Sequence, residues 1–351
     1  MNIAQIAPLA ESVPPTLYGG TERIVSYLTE ELVRMGHQVT LFASGDSTTA
    51  AELVPCSPRA RLDNVEDPIP RLLHMLECVC RRVDDFDVLH FHLEGLHLPI
   101  IRAMAGKTLT TLHGRLDGPG VAELYGDFGA TPLVSISQAQ RAPLKGARWL
   151  GTVHHGLPPS VCPYTDRPNG VYVAFLGRAS PVKRLDRAID IARRAGVRLR
   201  IAAKIDAADE GYFRGVIAPR LREDGVEFIG EINEQQKAAF LGNAIALLFP
   251  IDWPEPFGLS VIEAMSCGTP VLAWPWGALP EIIDDGITGF IVNSIEEGAN
   301  CIHPAAAINR RHVRRRFVER FTAARMARDY VRLYETLLSP LPQASRSGTD
   351  A

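Results

Sequence analysis

The chain is short of everything that would place it outside the ordinary globular class. Cysteine is scarce, with six residues in 351 (Cys56, Cys78, Cys80, Cys162, Cys267 and Cys301) and no C-x-x-C pair. That argues against a disulfide framework and against the common zinc spacings, and makes reduced thiols in the cytoplasm the expectation. No apolar run approaches the roughly 18–20 residues that span a bilayer. Met1 leads into the alternating segment NIAQIA rather than into a charged, apolar leader. Charge of one sign is also lacking: the formal net charge is −3, which argues against broad nucleic-acid binding. Gly19-Gly20 follows the first strand only after a long loop and forms no G-x-G-x-x-G, so a dinucleotide-binding dehydrogenase fits poorly.

What is present is an alternation of strands and helices over a length that favours two domains. Strands are expected at Ile3–Ala7, Gln38–Ser44, Asp87–His92, Leu109–Leu112, Leu133–Ser137 and Thr152–His154. A helix capped by Thr21 is expected to carry Ile24, Val25, Leu28, Leu32 and Val33 on one face and to close at Gly36. PPSVCPYTDRPN, Pro158–Asn169, has no periodicity and reads as a linker. A second set follows, with strands at Val171–Leu176, Arg198–Ala203, Val226–Ile229, Ala246–Phe249, Val271–Trp274 and Phe290–Val292. Helices are read at Leu185–Ala195 and from Phe321 to Leu338. Short apolar strands separated by helices imply α/β architecture with parallel sheets covered on both faces.

The most informative stretch is Ala246–Trp274, ALLFPIDWPEPFGLSVIEAMSCGTPVLAW, which reads as strand, loop, helix, strand. Gly258 opens a helix that is apolar on nearly every side except at Glu263, which shares a face with Leu259, Ile262 and Ser266. A buried carboxylate needs a partner, either a hydroxyl-rich ligand or a structural salt bridge to an arginine. The helix start offers backbone N–H groups to an anion, and Glu255 lies in the loop before it. A phosphate cradle flanked by two carboxylates suits a nucleotide sugar. FLGRASPVKR places Gly177, Arg178 and Lys183 beyond another strand, where open parallel sheets bind ligands. A planar guanidinium and a mobile ammonium suit a diphosphate; alone, the pair reads equally well as a surface ion pair.

Four segments together resemble the retaining glycosyltransferases of family 4, which have the GT-B fold. They are PPTLYGGTERIVSYLTEELVRMGHQVTLFAS, FLGRASPVKR, EPFGLSVIEAMSCGTPV with Glu255 and Glu263 as the E-x7-E glutamates, and GALPEIIDDGITGFIV. The resemblance runs from Ile3 to about Leu338. It implies two Rossmann-like domains facing each other across a cleft: an acceptor-binding domain at 1–160 and a nucleotide-sugar-binding domain at 161–318. A C-terminal helix at 319–338 would return to the first domain, and 340–351 would be a disordered tail. The implied reaction moves a sugar from a UDP- or GDP-sugar to an acceptor hydroxyl with retention, without a metal or other cofactor.

The same resemblance implies roles. Glu255 would meet the donor sugar's hydroxyls, Glu263 the ribose hydroxyls, and the backbone at Phe257, Gly258 and Leu259 the sugar and diphosphate. Arg178 and Lys183 would bind the diphosphate. Gly19 and Gly20 would let the N-terminal loop approach the donor. His113, at a strand end in TLHG, would reach the sugar across the cleft. Gly230 and Glu231, closing VEFIG, would offer backbone contacts to the base. Many relatives have Lys-Gly where this chain has Lys183-Arg184.

The spacing His90-x-His92 puts two rings on one strand face, but no thiol or carboxylate nearby completes a metal set. RRHVRRRF, Arg310–Phe317, reads as a solvated helix face, with peripheral docking on the inner face of a membrane as the alternative. Trp253 and the WPWG run at Trp274–Gly277 read as core aromatics rather than cleft walls. Two other activities fit the fold: a nucleotide-sugar epimerase that needs no acceptor, and a non-catalytic nucleotide-sugar-binding protein. Base, sugar, acceptor and oligomeric state are not legible.

Overall fold

The computed structural model describes residues 1–17, 19–60, 67–104 and 106–339. The expectation for 340–351 lies outside them. Two parallel sheets form. The first contains β1 (Asn2–Ile6), β2 (Gln38–Ser44), β3 (Glu52–Ser57), β4 (Val88–Phe91), β5 (Thr108–Thr111), β6 (Leu133–Ser135) and β7 (Trp149–Thr152), in the order β3-β2-β1-β4-β5-β6-β7. The second contains β8 (Tyr172–Arg178), β9 (Arg198–Lys204), β10 (Val226–Gly230), β11 (Leu247–Phe249), β12 (Val271–Ala273) and β13 (Gly289–Ile291), in the order β10-β9-β8-β11-β12-β13. After its first residue, every position of β1 and β2 is buried. Helices on both faces therefore demand continuous apolar runs rather than alternation.

In each sheet the strand order reverses once, between β1 and β4 and between β8 and β11. Crevices at the carboxyl ends of strands beside such reversals are where open α/β sheets bind ligands. The loops that leave β1, β4, β5 and β7 in one lobe, and β8, β10 and β11 in the other, carry most of the site residues.

Three local readings need correction. Helix α1 (Gly20–Arg34) begins before Thr21; Gly19 holds the cap position and no side chain caps it. The strand expected at Thr152–His154 lies earlier, at β7, so His154 and His155 sit beyond the strand end. Strand β3, unread in the sequence, contains Pro55 and pairs only with β2 at the sheet edge, where a missing N–H is tolerated.

The chain crosses between lobes at two touching points: Leu157 N donates to Phe321 O at 2.9 Å, and Ala323 N donates to Leu157 O at 2.9 Å. Pro158–Asn169 is not a free linker. Cys162 is fully buried in the second lobe's core, and Thr165 N donates to Cys267 O at 3.1 Å. Helix α6 (Arg310–Arg320) belongs to that lobe too. Arg310 donates to the carbonyls of Gly242 at 2.7 Å and Ala244 at 3.1 Å, and Arg314 to Ser266 Oγ at 2.7 Å. Part of the basic run is thus a staple for the carboxyl ends of the helices that finish at Gly242 and Cys267. Helix α7 (Ala323–Leu338) returns to the first lobe, where Met326, Tyr330 and Tyr334 are buried with Ile24, Leu28 and Leu32 of α1.

Candidate active site

The second lobe supplies charge. β8 ends on Arg178, and Lys183 follows before helix α3 (Leu185–Ala195). The chain leaving β11 carries Trp253 and Glu255 to helix α5 (Leu259–Cys267). Lys183 Nζ and Glu255 Oε2 form a close ion pair, with side chains 13% and 12% exposed. Trp253 Nε1 donates to the same oxygen at 2.8 Å, and its ring centroid lies 4.7 Å from Lys183 Nζ. Trp253 is therefore a cleft wall that clamps the pair, not a core aromatic. Of the other two, Trp274 is buried and Trp276 is 45% exposed.

Glycines shape this loop. Gly258 precedes α5 at φ +110°. Gly277, at φ +60°, packs so close to the Glu255 backbone that a Cβ there would lie 2.2 Å from Glu255 O. Ala278 N donates to that same oxygen at 2.9 Å, so the WPWG run braces Glu255 through its glycine.

Arg178 faces Asp206 at 3.3 Å and Asp209 at 3.9 Å, while its Nε is buried without a partner among the described residues. Arg184 occupies left-handed backbone, φ 53°, a conformation that glycine takes without strain. Its guanidinium turns to Asp186 at 2.7 Å and Asp252 at 2.9 Å, leaving Lys183 alone to face the cleft.

Glu263 is 5% exposed. Its protein partner is a lysine, not an arginine: Lys237 Nζ, from helix α4 (Glu234–Gly242), donates to Oε1 at 2.7 Å. Burial works against the Lys237 charge, but Glu263 and Glu234 outweigh it and raise the pKa. Glu234 in turn meets Arg23 at 2.5 Å and the Tyr27 hydroxyl at 3.1 Å, both from α1. An ionic string thus joins the lobes beside the glycine loop.

The first lobe supplies neutral rings at strand ends. His113 follows β5, His92 follows β4 and His155 follows β7. His113 and His155 stack with centroids 5.2 Å apart, and His155 meets Phe257 of the other lobe edge-on at 4.9 Å. Burial lowers the His113 pKa to about 3 and those of His90, His92 and His155 well below the usual value. His90 bonds Tyr334 and Thr111, and His92 bonds His113 and Gln5, so all four ring nitrogens are engaged and none is left for a metal. Further seams close the cleft: Ser137 Oγ donates to Pro256 O at 2.7 Å, and Glu281 accepts from Gln138 N at 2.8 Å and Ala139 N at 2.6 Å.

The cleft has a volume of about 660 Å³. It brings together Gly19, Gly20, His113, Arg178, Lys183 and Glu231 with Glu255, Phe257, Gly258, Leu259 and Glu263. Gly230 ends β10 beside it but does not line it. Sequence reasoning missed His155, Trp253, Lys237 and Arg23, which also line it. His113 is reached through the family resemblance; His155 directly follows the strand expected at Thr152–His154, but a lone histidine past a strand end is too weak a signal by itself. Lys237 and Arg23 carry no local signal, because their partners lie on other elements.

Along its length the chain is similar to known proteins. Residues 165–303 match the model for glycosyl transferases group 1, and residues 18–131 match the model for glycosyltransferase family 4. A phosphatidyl-myo-inositol mannosyltransferase of Mycobacterium leprae is 25% identical over 96% of this chain and 97% of its own length. A D-inositol 3-phosphate glycosyltransferase of Mycobacterium tuberculosis is 36% identical over 36% of this chain, but only 27% of that relative is spanned. The crystal structure of AviGT4, a glycosyltransferase involved in avilamycin A biosynthesis, superposes with a TM-score of 0.73 at 25% identity, over 96% of this chain and 98% of that one. Anabaena HepE in complex with UDP and glucose shares the fold at 18% identity and a TM-score of 0.73, over 96% and 100% of the two chains. Both halves match in order and the fold is shared end to end: the chain belongs to the family 4-like glycosyltransferases of GT-B fold.

Proposed function

We propose that the cleft binds a UDP- or GDP-sugar and transfers its sugar, with retention of anomeric configuration, to an acceptor hydroxyl held by the first lobe. The observation that carries this reading is a convergence: Lys183 paired with Glu255, Arg178 and the amino end of α5 share one cleft with His113 on the opposite wall. As the bond from sugar to diphosphate breaks, negative charge grows on the departing phosphate. Lys183, Arg178 and the helix N-terminus neutralise it, Arg178 exchanging Asp206 for phosphate oxygens. Glu255, fixed by Lys183 and Trp253, receives the sugar's hydroxyls and is not required as a nucleophile. The departing phosphate takes the acceptor's proton, so attack comes from the face the diphosphate leaves. Glu263 receives the ribose hydroxyls while Lys237 keeps it ionised. Closure of the lobes limits hydrolysis. Two similar proteins support a sugar donor: one is a phosphatidyl-myo-inositol mannosyltransferase, another was solved with UDP and glucose.

The test is a thermal-melting screen of nucleotide sugars, since a ligand of the native state raises the melting point. Assays for release of nucleoside diphosphate with candidate acceptors follow, with the product anomer read by NMR. Melting unmoved by every UDP- and GDP-sugar overturns the reading. Conversion of the donor to an epimer with no nucleotide release assigns the epimerase instead.

A further inference from the structure

Behind His113 runs a continuous, buried chain of hydrogen bonds that the transfer reaction as proposed does not use. His113 Nε2 lies 2.9 Å from His92 Nδ1, and His92 Nε2 lies 2.8 Å from Gln5 Oε1. Gln5 Nε2 donates to the Tyr334 hydroxyl at 3.1 Å. Tyr334 lies 2.8 Å from His90 Nδ1, His90 Nε2 lies 2.7 Å from Thr111 Oγ1, and Thr111 lies 3.0 Å from the Tyr330 hydroxyl. Every member behind His113 is buried; Gln5, His90, Thr111, Tyr330 and Tyr334 have no exposure at all. The chain joins three adjacent strands, β1, β4 and β5, to helix α7.

With the Gln5 amide oriented as it stands, nitrogen to Tyr334 and oxygen to His92, donor counting gives this chain one direction. The Gln5 amide nitrogen can only donate, so the Tyr334 hydroxyl accepts and directs its single proton to His90 Nδ1. The Gln5 amide oxygen can only accept, so the proton of His92 sits on Nε2. A neutral imidazole has one N–H, so His92 Nδ1 accepts and His113 must carry its own proton on Nε2. Burial keeps both rings neutral, with the His113 pKa at about 3. What is left on His113 is Nδ1, a lone pair. That atom is shut off from solvent and has no partner among the described residues, on a ring that lines the cleft.

We infer that Gln5 and Tyr334 are positioning residues: through His92 they hold His113 as the Nε2–H tautomer, so that Nδ1 accepts a hydroxyl of the bound sugar. This rests on the transfer reading above. His113 is then a hydrogen-bond acceptor and not a general acid, and the returning helix α7 shapes the site through one phenol.

The test is long-range ¹H–¹⁵N correlation on histidine-labelled protein, which reports which ring nitrogen carries the proton. Wild type and Tyr330→Phe, which touches only the far end of the chain, are expected to show His113 unprotonated at Nδ1. Gln5→Leu, and separately Tyr334→Phe, which frees the Gln5 amide to turn over, are expected to give mixed tautomers. Both are expected to lower kcat/KM roughly tenfold, the scale of one hydrogen bond, while Tyr330→Phe leaves it within about twofold. Tyr334→Phe keeps the ring's packing and serves if Gln5→Leu fails to fold. Wild-type His113 protonated at Nδ1, or a tautomer unmoved in both variants, overturns the relay whatever the protein transfers. The expected tautomers in a protein that binds no nucleotide sugar overturn the transfer reading and, with it, the role of Nδ1.

Discussion

The two lobes build their walls of the cleft from opposite chemistry. The second lobe presents ion pairs: Lys183 with Glu255, Lys237 with Glu263, Arg178 with Asp206. The first presents neutral rings: His113, hydrogen-bonded to His92, and His155 stacked on it, with His90 behind them. A diphosphate needs fixed charge, and fixed charge near a cleft must be paired to survive desolvation. A sugar's hydroxyls need oriented donors and acceptors, which a buried ring supplies only if its tautomer is set. The contrast is one of wall chemistry, and it can be broken at either wall.

The largest effect is expected at Glu263. Removing it leaves Lys237, whose side chain is 13% exposed, with only the longer pair to Glu234 at 3.3 Å. Breaking a buried pair from one side costs up to about 3 kcal/mol, part of which Glu234 offsets, so Glu263→Ala is expected to lower the melting temperature. Calorimetric titration with UDP and GDP then checks whether the folded fraction has also lost nucleotide affinity; unaltered affinity removes the ribose role. Next is Lys183→Ala, expected to reduce kcat by about 100-fold or more, as loss of one preorganised donor to a developing anion does. Glu255→Ala should act similarly, with circular dichroism unchanged. Turnover that survives both changes would mean the charged wall is structural.

The lobes also differ in how much of them the sequence disclosed. The charged wall is written in contiguous runs: EPFG, its helix and GRASPVK each place a functional group within a few residues of a strand end. The neutral wall is not, because Gln5, His92, Thr111, His113 and Tyr334 meet only through strand order and the return of α7. The alternation of apolar strands was enough to read most of the framework, including β2 and α3 to the residue. It failed where local signal and burial part company. Strand β3 is a half-exposed edge with a proline, and Trp253, apolar by composition, is held at the cleft by its one N–H. Glu263 was legible as a problem but not as a solution, since Lys237 lies 26 residues away on another helix.

The contrast sharpens with pH. His97 of the first lobe has no exposed surface, and burial lowers its pKa to about 3. The unfolded chain protonates it near 6.5, so between those values the unfolded state binds more protons than the folded one. Stability is therefore complete above about pH 6.5 and is lost as pH falls toward 3; at pH 5 this one ring accounts for about 2 kcal/mol. His90, His92, His113 and His155 shift in the same direction. Lys237 in the second lobe, with its pKa raised, acts at the other end: its contribution is present below about 10.5 and is lost as pH rises through the folded value. Hydrogen exchange at pH 5 against pH 8, corrected for intrinsic rates, is expected to show lost protection in β4, β5 and α7 before β8 and α5. Uniform loss across both sheets would mean the lobes unfold as one unit.

The smallest effect tests whether the two walls communicate. Tyr27 of α1 donates to Glu234 at 3.1 Å, and Glu234 holds Lys237, which holds Glu263. Tyr27 does not line the cleft, so it has no direct route to a bound nucleotide. Tyr27→Phe removes one hydrogen bond of about 1 kcal/mol and leaves Arg23 on Glu234. If lobe closure contributes to nucleotide binding, weakening the seam raises the fraction of open molecules, and UDP or GDP should bind about fivefold more weakly. If the second lobe binds nucleotide alone, affinity is unchanged and only the melting temperature moves. A titration of this single variant therefore decides whether the charged wall works as a separate domain or as half of a closed site.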